Sequence, residues 1–175
     1  MHNRTAKIVG SLLVGLLFLW LTLAFEPEQE MPFETIAKDE GFYTGRGYGG
    51  EKPNLVVLAT SNDVENPGLD IQFPPEIAAQ LRSSDYNRFV IVLVLQGLQG
   101  STEHSVTVQQ VRRQGNRVII NAQFVKPVPG VLVGWLVTSP FHLIAIPKQG
   151  TWGQSIRFVL MSDTNVAAET THFVP

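Results

Sequence analysis

Residues Ile8 to Phe25 read IVGSLLVGLLFLWLTLAF, an apolar run without a single charged side chain. Seven of its residues are leucine, and Arg4 and Lys7 precede it. As a helix rising about 1.5 Å per residue, the run reaches roughly 27 Å, close to the thickness of a bilayer core. A helix closes its own backbone hydrogen bonds, so lipid tolerates it. It has no polar face and therefore does not suit the surface of a small globular core. The run is expected to be a single transmembrane helix over residues 8–25, with residues 1–7 as a basic leader.

A cleaved secretory signal is the alternative. Signals carry an apolar stretch of about 7–15 residues followed by small residues at the cut. This run is longer and bulkier, with Phe18 and Trp20, and Thr22-Leu23-Ala24 is a weak cleavage site. Basic flanks stay in the cytoplasm, so either reading puts the rest of the chain outside it, in the periplasm or at the cell surface. Ser11 and Gly15 stand four apart and offer a small-residue face for a partner helix.

From Met31 onward 145 residues remain, enough for one domain with a real core. From Met31 onward there are eleven basic and twelve acidic residues. That balance gives no electrostatic footprint for nucleic acid. The chain has no cysteine, which removes disulfides, thiolate metal sites and covalent haem attachment. No cofactor is expected.

Glu26 to Pro32 reads as a short stiff linker, and residues 33–161 as the extracytoplasmic domain. Gly41 to Pro53 holds five glycines and reads as a flexible loop. Asn54 to Thr60 predicts a strand. Pro74-Pro75 opens a short helix in which Ile77 and Leu81 share a face. Phe89 to Leu95, FVIVLVL, has no polar side and predicts a central strand buried on both faces. Ser105 to Val111 is a weaker strand, and Arg113 to Arg117 a hairpin turn. In Arg117 to Val125, Val118, Ile120, Ala122 and Phe124 alternate with polar neighbours, the mark of a half-buried antiparallel strand. Val131 to Thr138, Phe141 to Ile146 and Ser155 to Met161 complete the strands, and residues 162–175 read as a loosely held polar tail. The expected fold is mainly β: an antiparallel β-sandwich or partly open barrel with one short helix.

Candidate chemistry is sparse. Ser139 and His142 invite a hydrolase reading, but three residues apart on extended chain they face opposite ways, and no nucleophile-elbow glycines surround the serine. The histidines His2, His104, His142 and His172 form no short metal pattern. Asp63, Glu65 and Asp70 share a polar loop without calcium-loop spacing and leave at most a weak calcium site. The glycine loop around Arg46 and Tyr48 precedes a strand rather than a helix, so it is no dinucleotide fingerprint; these two side chains are candidates for a partner contact. Trp152, in the Gly150-Thr151-Trp152-Gly153 loop, where the glycines suggest an exposed ring, is the other candidate.

The segment Val131 to Lys148, VLVGWLVTSPFHLIAIPK, resembles the PrcB-like family, described as a protease-complex stability domain. Phe33 to Lys38 looks like that family's opening strand, and Asp70-Ile71-Gln72-Phe73 like the stretch before its central strand. Gln96-Gly97 and Pro127 to Gly130 fit as well, so the resemblance spans roughly Phe33 to Leu160. Where the family carries a Thr-Gly-Gly-aromatic step, this chain reads Ser101-Thr102-Glu103-His104. The resemblance implies a noncatalytic domain that steadies a partner.

The function expected is therefore a membrane-anchored accessory subunit. It would bind and stabilise a larger membrane or exported complex, of protease type or a respiratory or photosynthetic assembly. The alternatives are an envelope hydrolase using Ser139 and His142, and a binder of small ligands.

Overall fold

A computed structural model describes residues 27–39, 48–69, 71, 73–130 and 136–175. The run from Ile8 to Phe25 lies outside them. Among the described residues no helix is long and apolar enough to cross a membrane.

The described residues form nine strands and two short helices. In chain order they are β1 (Gln29–Met31), β2 (Glu34–Asp39), β3 (Asn54–Leu58), α1 (Ser61–Glu65), α2 (Pro75–Arg82), β4 (Phe89–Leu95), β5 (Ser105–Gln114), β6 (Arg117–Val125), β7 (Phe141–Pro147), β8 (Gln154–Ser162) and β9 (Asn165–Val174). They build two sheets, one ordered β1-β5-β6-β8-β9 and the other β2-β7-β4-β3. The protein is mainly β, and the packed pair of sheets is a sandwich.

Alternation in β6 explains the core between the sheets. Val118, Ile120 and Ala122 are buried, and they meet Val106, Val108 and Val111 of β5 and Ile156, Phe158 and Leu160 of β8. From the second sheet Val90, Val92, Val94, Ile144 and Ile146 close the layer. β4 has a second cover. Ile91, Leu93 and Leu95 point away from the sandwich and pack under Leu81 of α2, Val64 of α1 and Ile71, with Phe73, Ile77 and Tyr86 around them. Two covered faces are the reason FVIVLVL carries no polar position. The Tyr86 hydroxyl donates to Leu81 O at 2.9 Å, tying the end of α2 to the following loop; burial pushes its pKa up to about 12.

Three expectations from the sequence are corrected. Gln29–Met31, read as linker, is an edge strand on β5, pairing Gln29 with Arg113 and Met31 with Val111. The chain then turns at Pro32-Phe33 into β2 of the other sheet, a strand that changes sheets at a bend. Residues 165–174, read as a polar tail, are β9, which pairs with β8 from Gln154↔Val174 to Ser162↔Asn165. The sheets are also not wholly antiparallel, since β6 and β8 run parallel from Arg117↔Arg157 to Ala122↔Ser162. Parallel neighbours need a crossover, and β7, lying in the opposite sheet, supplies it. Of the strand expected over Val131 to Thr138, residues 131–135 lie outside the described residues, and Thr138 makes a single bridge to Gln99.

The sandwich has two unlike ends. At the hairpin end sit the two-residue β5–β6 turn, the 148–153 loop, the start of β1 and the end of β9. Gly115 takes φ +59° in that turn, as a tight hairpin requires. At the loop end sit residues 48–53, 96–104, 126–130 and 136–140 and the β8–β9 turn. Gly97 locks two of these loops: its φ is +87°, a Cβ there would stand 2.6 Å from Glu51 O, and Leu98 N donates to Gly50 O at 2.8 Å. Gly97→Ala should cost about 2–3 kcal/mol, because backbone strain and a backbone clash add. A urea midpoint unchanged from wild type would contradict this.

Candidate functional site

His142 is the one buried histidine among the described residues, 3% exposed on β7. Val108 lies past the last β1 partner, where the β5–β6 register shifts, and its N–H donates to Nδ1 at 2.8 Å. Because Nδ1 accepts, the ring proton sits on Nε2, which donates to Thr35 Oγ1 at 2.8 Å. The imidazole thus links β7 to its neighbour β2 and to β5 of the opposite sheet. Burial, with Lys38 nearby as a lesser cause, pulls its pKa down to about 4. A neutral ring with both nitrogens committed has no lone pair for a nucleophile. Ser139 is 1% exposed, and its Oγ has no hydrogen-bond partner. The two side chains are therefore not bonded to one another, and the arrangement is structural.

The other candidates scatter. Asp63 Oδ2 accepts from the N–H groups of Ala59 and Thr60, each at 2.8 Å, fixing the start of α1, and it lies 3.3 Å from His172 Nε2. Glu65 pairs with Arg82 at 2.6 Å, which holds its carboxyl below the usual range. Asp70 lies outside the described residues. Ser101 Oγ and His104 Nδ1 are 3.1 Å apart. Among the described residues no cluster of three or more His, Asp or Glu side chains is placed to hold a metal ion.

Of the partner-contact candidates, Ser11, Gly15 and Arg46 lie outside the described residues. Tyr48 is half-buried at the loop end, packed on the cluster under α2, and its hydroxyl accepts from Asn54 Nδ2 at 3.3 Å. Trp152 stands at the hairpin end, so the structure does not bring the two together. Its Nε1 donates to Gln149 O at 3.0 Å, and the Arg113 guanidinium lies 4.2 Å above its ring. Arg113 also donates to Gly115 O, Gln149 O and Thr151 O. The glycines around Trp152 suggested an exposed ring, yet much of it closes the bottom of the core.

The exposed apolar side chains were not singled out from the sequence. Val125, Val128, Leu136 and Val137 are 40–69% exposed; Val125 ends β6 and the other three belong to the β6–β7 connection at the loop end. The signal was present: hydrophobic residues flank Pro127-Val128-Pro129-Gly130, where the chain must turn and a core strand cannot run. Below them the loops are held firmly. Gln96 Nε2 donates to Val125 O at 3.2 Å, Gln96 N to Pro140 O at 2.9 Å and Thr138 Oγ1 to Ser101 O at 2.9 Å. An open hollow of about 470 Å³ lies elsewhere, at the β1–β2 bend, lined by Glu30, Met31, Pro32, Phe33, Gln110 and Val111. It is a surface groove rather than an internal ligand cavity.

No family model matches the chain, and neither the curated proteins nor the solved structures gave a match.

Proposed function

We propose that the protein is a membrane-anchored accessory subunit that holds a larger membrane or exported protein complex through the loop end of its β domain. The observation that carries this reading is the set Val125, Val128, Leu136 and Val137, exposed at the end of β6 and along the β6–β7 connection, at the end of the sandwich opposite Gln29. Isolated exposed apolar side chains are ordinary, whereas several on one firmly braced loop suit a partner surface. Residues 8–25 would sit in the bilayer and the domain outside the cytoplasm. An anchor confines both partners to two dimensions and raises their effective concentration, so a modest patch suffices. A proteolytic assembly, as the resemblance to PrcB-like domains implies, and a respiratory or photosynthetic electron-transfer assembly suit this role equally as hosts. The commitment of both His142 nitrogens disfavours a hydrolase built on Ser139 and His142.

The test is extraction of the full chain in mild detergent, followed by mass measurement on native gels. Wild type should migrate as part of a much larger species. Val128→Asp with Leu136→Asp should release it to the mass of the single chain without lowering its melting temperature. A wild-type chain that runs alone at every stage would remove this reading.

A further inference from the structure

The hairpin end carries an unusual surface for a domain whose chain arrives there. Gln29 pairs with Arg113, and three more arginines lie within one residue of that row: Arg112 on β5, Arg117 on β6 and Arg157 on β8, the last two directly opposed. Their side chains share the outer face of the five-stranded sheet. Arg112 is bonded to Glu28 at 2.7 Å and Arg157 to Glu169 at 2.5 Å, while Glu30 accepts from Gln110. Arg117 makes no ion pair among the described residues, and its Nε is buried without an acceptor. One step nearer the tip, opposite Ser155, Phe173 is 58% exposed on the same face. Arginines and an exposed aromatic ring on one face of a sheet suit the interface of a bilayer, where rings sit at headgroup level and arginine meets phosphate.

Chain length decides the occupant. Phe25 ends the apolar run four residues before Gln29, and four extended residues reach at most about 14 Å. With strands about 4.8 Å apart, Arg117 lies two strands and Phe173 four strands from Gln29. If residues 8–25 span a bilayer, this end is held against it. We propose that the hairpin end rests on the lipid surface, with Phe173 in the interface and Arg117 and Arg157 on the phosphates of anionic headgroups. The proposal rests on the anchor reading above. The exposed Arg157–Glu169 pair is weak in water and can exchange its carboxylate for a lipid phosphate.

The experiment uses the full chain in vesicles of phosphatidylcholine with phosphatidylglycerol. The chain has no cysteine, so Asn116→Cys at the hairpin end and Asn165→Cys at the loop end each take one fluorophore. Quenching is read from a headgroup-nitroxide lipid. The label at position 116 should be quenched and that at 165 not. Arg117→Gln and Arg157→Gln should each shift the resting-to-lifted ratio about fivefold toward the lifted state, and Phe173→Ala should add to the loss, with melting temperatures unchanged. Equal quenching at both positions, quenching that ignores these substitutions, or a halved particle mass in Phe173→Ala (a second copy as the occupant) overturns the proposal. In each of these cases an alkaline-carbonate wash that leaves the chain in the vesicles keeps the anchor reading intact. Release by carbonate instead removes the anchor reading, and this proposal with it.

Discussion

Phe158→Ala is expected to lower the unfolding free energy by about 3–5 kcal/mol. Phe158 is wholly buried and is among the largest side chains in that condition. It sits mid-strand on β8, between Val118 of β6 and Thr170 of β9, and faces the second sheet. Neighbours on paired strands cannot collapse into the space without breaking register, so the loss includes a cavity as well as the transfer of the ring from water. A domain of this size holds only about 5–15 kcal/mol in total, so the variant should unfold at a markedly lower urea concentration with the same slope. Phe173→Ala on the neighbouring strand is the control. Its ring is exposed, and in detergent its effect should stay within about 0.5 kcal/mol. Equal effects from the two substitutions would mean that the assignment of the two faces of this sheet is wrong.

Acid should weaken the fold through His142, starting well above the carboxylate range. Its pKa falls from 6.5 to about 4 in the folded state. Below pH 6.5 the unfolded chain takes up a proton that the native chain refuses, so stability declines as the pH drops from 6.5 through 4 and levels off below that. The full difference corresponds to ~3 kcal/mol. Burial is the main cause and Lys38 a lesser one, and the geometry agrees, since a proton on Nδ1 would displace the Val108 N–H it now accepts. His142→Ala should be less stable at pH 7 by roughly 2–4 kcal/mol, because the Val108 N–H and the Thr35 hydroxyl each lose a partner. It should also lack wild type's decline between pH 6.5 and 4. Carboxylates titrate near the lower limit in both proteins, so the difference between their stability curves is the quantity to measure. Parallel curves over that range would show that His142 does not carry the acid sensitivity.

The strands that face a single core were legible because period-2 alternation is a direct image of one buried face, as in β6. β4 was legible for the opposite reason: with a sheet on one side and α2 on the other, every position must be apolar. β9 escaped notice because its inward positions are Ala168, Thr170, His172 and Val174. At the margin of the sandwich they need little volume, and His172 reaches Asp63 instead of the core. β1 is three residues long and carries no pattern at all. The parallel β6–β8 pair could not be read, because alternation reports which way a side chain points and not which strand lies beside it. His142 shows the same limit at the level of chemistry. Its partners lie 34 and 107 residues away, and only the meeting of two sheets brings them to one ring. Trp152 sat among glycines that suggested exposure, and a guanidinium from another strand covers it.

Gln29 and Val174 both lie at the hairpin end of the same sheet, four strands apart and so separated by roughly 19 Å. A module whose two termini exit side by side can be spliced into a surface turn of an unrelated host with short spacers. If the domain is anchored as proposed, a reporter fused after Pro175 would hang beside the anchor and leave the far loops unobstructed. Cutting the chain anew in the Asp163-Thr164 turn, with the old termini joined, would present those loops from the opposite pole. Whether recognition survives that inversion would separate the contribution of orientation from that of contact.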